Sequence, residues 1–261
     1  MKLLFWRRRR IPVLRLHGLL AARLGPLSIE AYGTLIDAAF RAAGRGGTVV
    51  LDIDSPGGSP VQSDLIAARI RRRAEEKGAK VLAVIAETGA SGGYWLACAG
   101  DEIVAHPMSV VGSIGVRGGG FGFDRVLDRL GVQRRLYTAG ENKARLDPFS
   151  PERPEDVAFV QALLADLHIR FKDWVRTRRG ARLTGAEQEV FDGSFVLGSR
   201  ALALGLIDRF GDLDGVVREL GGERAEAQLF RPRRRGLLGR LPRMAVDAVF
   251  DSLEARSGPR L

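Results

Sequence analysis

An α/β fold built on a largely parallel sheet is the architecture this sequence predicts, and two observations carry it. Short β-like runs alternate with helical segments from Pro12 to Gly222, and the β-like runs are continuous stretches of Val, Ile and Leu, as expected of strands covered by helices. In order, strands are expected at residues 13–17, 48–53, 80–86, 102–105 and 133–138, where apolar and β-branched residues dominate. Helices are expected at 28–43, 62–77, 91–99, 122–130, 154–178, 185–191 and 199–204. The longest of these carries Val157, Val160, Leu164, Leu167, Phe171 and Trp174 at spacings of three and four, one apolar stripe with charges opposite, which implies packing. No internal repeat is visible, and Gly118, Gly119 and Gly120 mark a loop.

With 261 residues, 45% apolar and 28% charged, the chain carries enough apolar surface for one large globular domain or two small ones, which excludes a disordered or fibrous protein. The longest uncharged stretches, 88–100 and 103–116, fall short of the roughly 18 apolar residues of a spanning helix, and glycine or proline interrupts both. Pro12, Arg15, His17 and Arg23 break any signal-peptide core behind the basic N-terminus. The lone Cys98 excludes an internal disulfide framework and a multi-cysteine metal site. Cytoplasmic residence is the expectation, with no metal and no cofactor.

The formal charge of +10 is not spread evenly. Residues 1–15 and 231–243 each hold six cations and no acid, so the body between them is close to neutral. Basic ends on a neutral body suit peripheral contact with an anionic membrane at its inner face better than a nucleic-acid-reading surface. Leu237, Leu238, Leu241, Met244, Val249, Phe250 and Leu253 give the C-terminal part an amphipathic pattern, alongside the plainer reading of a solvated Arg-rich tail. The expected organisation is a basic segment at 1–11, a catalytic domain at 12–222 and an Arg-rich tail at 223–261.

Two glycine-rich turns stand where strands should end. Asp54-Ser55-Pro56-Gly57-Gly58 follows one strand and precedes a helix, at the sheet edge where α/β proteins hold ligands. Paired glycines leave backbone N–H groups uncovered, which suits an oxyanion, although a plain Pro-Gly turn has the same composition. Gly89-Ala90-Ser91-Gly92-Gly93-Tyr94 repeats the arrangement, with Ser91 opening the next helix either as a cap or as a nucleophile. Because a further glycine precedes Gly93, the segment is read as distinct from the G-x-S-x-G elbow.

A serine nucleophile needs a base. His17, His106 and His168 have no acidic residue at a defensible spacing and are read as structural. Among five lysines, Lys2 is terminal, Lys77 and Lys80 flank a turn, and Lys172 lies on a helix; Lys143, in Gly140-Glu141-Asn142-Lys143, follows an expected strand.

Ser55-Pro56-Gly57-Gly58, Ala90-Ser91-Gly92-Gly93-Tyr94, Gly112-Ser113-Ile114-Gly115-Val116 and Gly140-Glu141-Asn142-Lys143 stand in one order over some ninety residues, and together they resemble the signal peptide peptidase A family of Ser-Lys peptidases, family S49. The resemblance covers about 12–222. It implies a Clp- and crotonase-like superhelical α/β spiral in a single copy, Ser91 as nucleophile and Lys143 as general base. It also implies that Ser113 positions the lysine amine and that Gly57, Gly58 and Gly92 supply the oxyanion hole. Members of the family commonly carry an N-terminal membrane anchor or a second copy of the domain, and this chain is expected to have neither. The resemblance further implies peptide substrates and a ring of identical subunits, hence a homo-oligomer without nucleic acid.

A free lysine amine, with a reference pKa of about 10.4, is neutral in only about one part in a thousand at pH 7.4, so a lysine base must be shielded from water. Glu141 and Asp147 are therefore expected to face away from the amine. The apolar segment 110–116 is expected either to offer an open edge to an unfolded, apolar peptide or to be a buried strand. Two rivals use the same residues differently. A crotonase-like acyl-CoA enzyme would need the glycine turns alone, and a non-catalytic membrane scaffold would need only the Arg-rich ends.

Overall fold

Strand β1 (Arg10–His17) opens the sheet in the computed structural model, which describes residues 9–22 and 27–232. It starts before residue 13 because Ile11 is buried along with Val13, Leu14 and Leu16. Helix α1 (Ile29–Ala43) is capped by Ser28, whose Oγ accepts the Ala31 N–H at 3.3 Å, and it buries Tyr32, Ile36, Ala39 and Phe40 at helical spacing. Strand β2 (Thr48–Ser55) leads into helix α2 (Pro60–Lys77), which has Ser59 as cap, Pro60 in its first turn and left-handed Gly78 at its end. Strand β3 (Lys80–Ala90) and helix α3 (Gly92–Ala97) follow, then strands β4 (Glu102–Ala105) and β5 (Val110–Gly112). The remaining elements are α4 (Asp124–Arg129), α5 (Pro154–Arg179), a 3-10 turn (Gly180–Arg182), α6 (Glu187–Val190), β6 (Phe195–Leu197), α7 (Gly198–Ala203), β7 (Arg209–Phe210), α8 (Leu213–Gly221) and β8 (Glu226–Phe230).

The strands form one mixed sheet in the order β6-β5-β3-β2-β1-β8, with β4 between β3 and β7. Every pairing is parallel except β5 with β6. β3 divides its partners: residues 82–85 pair with β4, and residues 88–90 pair with β5. The switch coincides with a register shift against β2 at Ile53 and Ser55, where Asp54 Oδ1 takes the Thr88 N–H at 3.1 Å. This bend carries the end of β3 toward Gly112.

The larger core joins residues such as Leu16, Ile36, Leu51, Ile66 and Tyr94, from the strands and from α1, α2 and α3. A smaller one joins Val13, Val50, Val84 and Val104 to Val216 and Val217 of α8. Each fully buried Leu, Ile or Val contributes roughly 1.5–3 kcal/mol relative to exposure, so these layers fix the strand ends that carry the site.

The described residues form two compact units, one of residues 9–22, 27–115 and 170–232, the other of residues 116–169. Several expectations are corrected. Residues 133–138 form no strand; they are exposed, and none of the described residues pairs with them to complete a ladder. The sheet reaches beyond 12–222 at both ends, because β8 pairs with β1 from Arg10 to Leu14. Of the stripe on α5 only Phe171 is buried, while Val157, Val160, Leu164, Leu167 and Trp174 remain partly exposed; Val175, outside the stripe, is buried beside it. The apolar run from Val110 is no open edge at 110–112, since β3 pairs with one side and β6 with the other. The basic stretch before residue 9, the Arg-rich part from 233 onward and its amphipathic pattern lie outside the described residues. Among the described residues, no helix is long and apolar enough to cross a membrane.

Candidate active site

Ser91 joins the end of β3 to α3 with φ 51° and ψ −122°, a region that non-glycine residues seldom occupy. The strand, the sharp turn and the helix reproduce the backbone logic of a nucleophile elbow, and the expected distinction from it is corrected: Gly89-Ala90-Ser91-Gly92-Gly93 fits G-x-S-x-G, with Gly92 at the variable position. Its side chain makes no capping bond, so the hydroxyl is not committed to the helix. The Ser91 N–H donates to Gly112 O at 2.8 Å, which fastens the turn to the end of β5.

The two glycine turns interlock around this residue. A Cβ on Gly57 would lie 2.7 Å from Ser91 Cβ and 2.7 Å from the Gly92 nitrogen, and one on Gly93 would lie 2.3 Å from Ser55 O. Only glycines allow the backbones to approach this closely. Gly57 (φ 102°) and Gly58 (φ 135°) also adopt conformations that favour glycine.

The amides divide into two groups. The Gly57 N–H donates to Ser55 Oγ at 3.2 Å, which corrects its expected place as an oxyanion donor and makes it instead the wall against Ser91. The amides of Gly58 and Gly92 have no acceptor among the described residues, and Gly58 is exposed.

Ser113 follows Gly112 directly with φ 52°, and its N–H donates to Ser194 O at 2.7 Å. The structure thus brings Ser91, Ser113, Gly57, Gly58 and Gly92 together at one end of the sheet. Helix α3 is clamped from several sides. Tyr94 donates its hydroxyl to Leu206 O at 2.7 Å, Trp174 Nε1 donates to Trp95 O at 3.0 Å, and Arg178 donates to Cys98 O at 2.8 Å and Gly100 O at 3.1 Å. Arg179, almost fully buried, bridges Gly205 O and Asp208. None of these clamps had a signal in a chain so rich in arginine. Burial pushes the Cys98 thiol up to about 12, which leaves it inert.

Lys143 belongs to the second unit and is exposed. Asp147 is taken by Arg134, Ser150 Oγ and the Phe149 N–H. Arg145 holds Asn142 and Asp156, each at 2.8 Å, and stacks over Phe159, so the loop on both sides of Lys143 is anchored.

One histidine departs from expectation. His17 Nε2 lies 3.1 Å from Asp52 Oδ2, beside Arg15, on the sheet face that carries α8. Burial opposes ionisation of Asp52, but His17 and Arg15 outweigh it and hold the carboxyl below its usual range. The pairing depends on strand register, which no spacing along the chain reveals. Among the described residues no group of three or more His, Cys, Asp or Glu is placed to hold a metal ion.

Comparisons with known proteins bear on this site. The family model described as Peptidase family S49 matches residues 73–226. A putative protease of Synechocystis sp. is 30% identical over 204 residues, covering 78% of this chain and 70% of that protein. The probable protease SohB of Haemophilus influenzae is 28% identical, covering 85% and 62%. A protein of Brucella abortus named as the Na(+)/H(+) antiporter NhaA is 45% identical over 243 residues, which are 91% of this chain but 33% of that protein. The chain therefore spans about a third of the length of that relative. Among solved structures, a mutant of the 1510-N membrane-bound stomatin-specific protease superposes with a TM-score of 0.54 at 13% identity, over 87% of this chain and 99% of that one. That likeness is one of fold.

Proposed function

The chain belongs to peptidase family S49, and we propose that it is a serine endopeptidase that cleaves unfolded, apolar peptides through an acyl-enzyme on Ser91. The observation that carries this reading is the strained Ser91 turn set against Gly57, with the Gly58 and Gly92 amides uncommitted beside it.

In the proposed cycle the neutral Lys143 amine takes the Ser91 proton as Oγ attacks the peptide carbonyl. The Gly58 and Gly92 amides receive the oxyanion, and Ser113 orients the amine. The ammonium then protonates the departing amine, and water releases the acyl group. A Cβ at Gly57 would strike Ser91, so glycine there keeps a side chain off the serine, which favours approach of an extended main chain as substrate.

Lys143 is exposed in the single chain, whereas a neutral lysine requires shelter. In this proposal a second copy of the chain supplies it. The second unit has no buried apolar side chain among its described residues and exposes Phe121 (81%), Leu130 (69%) and Tyr137 (88%), a surface suited to burial against a like neighbour. The Arg-rich ends would hold such an assembly against an anionic membrane on its cytoplasmic side.

The test is turnover of an unstructured, apolar, fluorogenic peptide by the purified chain. Steady hydrolysis with an initial burst of released leaving group is expected. Inertness toward peptides together with turnover of acyl-CoA thioesters would replace this reading with the crotonase-like one.

A further inference from the structure

Among the described residues of the second unit, Asp156 is the one that is buried, and it carries a charge. A buried carboxylate is tolerated where it is well paired, so in a unit without buried apolar side chains its partners mark what is held in place. Asp156 stands in the first turn of α5, and two guanidinium groups close on it. Arg145 donates through Nε at 2.8 Å, and Arg153 donates through Nε and Nη2 at 3.0 Å each. Burial pushes the carboxyl up, but Arg153, Arg145 and a backbone hydrogen bond from Leu146 outweigh it and hold it below its usual range. The other acids that face this cluster are Glu155, 3.6 Å from Arg153, and Glu141.

Two of the three partners belong to the turn that carries Lys143. Arg145 and Leu146 follow the lysine by two and three residues, and Arg145 also reaches back in front of it. Its Nη2 donates to Asn142 Oδ1 at 2.8 Å, and its backbone N–H donates to Asn142 O at 3.3 Å. Lys143 therefore lies inside a turn that Arg145 closes through both main chain and side chain, and Asp156 fixes the guanidinium. Leu146 has φ 61°, a left-handed conformation that a bulky residue keeps only where its surroundings impose it. The Lys143 side chain itself is exposed and makes no hydrogen bond or ion pair among the described residues. The turn alone sets where the amine starts from.

We propose that Asp156 is a positioning residue, which through Arg145 and Leu146 holds the turn from Asn142 to Leu146 and so fixes the direction in which Lys143 presents its amine. The proposal rests on the peptidase reading given above, with Lys143 as base. Asp156 touches neither substrate nor the amine in this scheme.

The test compares Asp156→Asn, Asp156→Glu, Arg145→Met and Arg153→Met with the wild-type chain. Active sites are titrated to completion with a fluorophosphonate, so that kcat is expressed per competent Ser91. For Asp156→Asn, which keeps the size and removes the charge, kcat per titrated site is expected to fall about tenfold or more while KM stays within about twofold, in line with a misplaced base. The acidic limb of kcat/KM, set by the neutral amine, should move up by roughly half a unit, because an amine that is seated less often is more hydrated. Loss of a nearby negative charge would by itself move that limb down, so the sign separates positioning from direct electrostatics. Arg145→Met should give the same two changes, and Asp156→Glu, which keeps the charge, should recover part of the loss. Arg153 pairs with Asp156 but makes no hydrogen bond to residues 140–147 among the described residues. Arg153→Met should therefore keep wild-type kcat per site and a wild-type limb, even where its thermal midpoint falls. A purely structural role would lower the titrated fraction and leave kcat per site unchanged in Asp156→Asn and Arg145→Met, and that result would overturn the proposal. So would an acidic limb in Asp156→Asn that stays in place or moves down, or an equal loss in Arg153→Met. Wild-type inactivity toward peptides would instead overturn the peptidase reading and take the positioning role with it.

Discussion

Replacing Ser91 with Ala is expected to lower kcat by at least about 10³-fold, the scale on which loss of a covalent nucleophile acts. The fold should be unaffected, and the structure says why. Ser91 Oγ makes no capping bond, and the turn is held by the Ser91 N–H on Gly112 O, a contact that Ala retains. The strained φ of 51° is carried equally by either residue, so the substitution removes one oxygen and adds no new strain. Activity should therefore collapse while circular dichroism and the thermal midpoint stay close to those of the wild-type chain. The Gly58 and Gly92 amides remain in place, so a small residual rate above the uncatalysed one is expected. Hydrolysis within tenfold of wild type would remove Ser91 from the mechanism.

Lys143→Met should cost a similar factor in kcat, because Met keeps the length and apolar stem of lysine and removes only the amine. This variant should be nearly neutral for stability. Lys143 is exposed, Asp147 is occupied by Arg134 and Ser150, and Arg145 holds its loop to Asn142 and Asp156 without help from the lysine. The double variant is the sharper measurement. Residues that act as one unit are not additive, so Ser91→Ala with Lys143→Met should lose about as much as either change alone. Multiplicative losses would mean that the two side chains act in separate steps.

Local chemistry was the most legible part of the sequence. The glycine pairs at 57–58 and 92–93 announce close backbone approach, and the structure finds it, with Gly57 against Ser91 and Gly93 against Ser55. Central strands were legible for the same reason, since Val49, Val50 and Leu51 are buried on both faces and read as a continuous apolar run. The misses have physical causes. β6 is three residues long and β8 is half exposed, so neither displays a period. Residues 133–138 have strand-like composition but pair with no strand among the described residues. The α5 stripe shows how far periodicity goes: spacing says that one face is apolar, and of its six residues only Phe171 is buried within the described residues. Contacts that depend on register or on distant segments left no local trace, as with His17 beside Asp52 and Arg178 on Cys98 O.

The choice of Lys143 came from its motif and from the scarcity of lysine, and neither can show what shelters the amine. The first unit has its serine, its amides and its clamps within a single chain. The amine is the part that the surroundings must still make reactive.

Covalent capture tests the central claim most directly. The wild-type chain is treated with an apolar peptidyl fluorophosphonate, digested and mapped by mass spectrometry. One adduct is expected, on the peptide that contains Ser91, absent from Ser91→Ala and formed far more slowly by Lys143→Met. An adduct on any other residue, or labelling of Lys143→Met at the wild-type rate, would contradict the account.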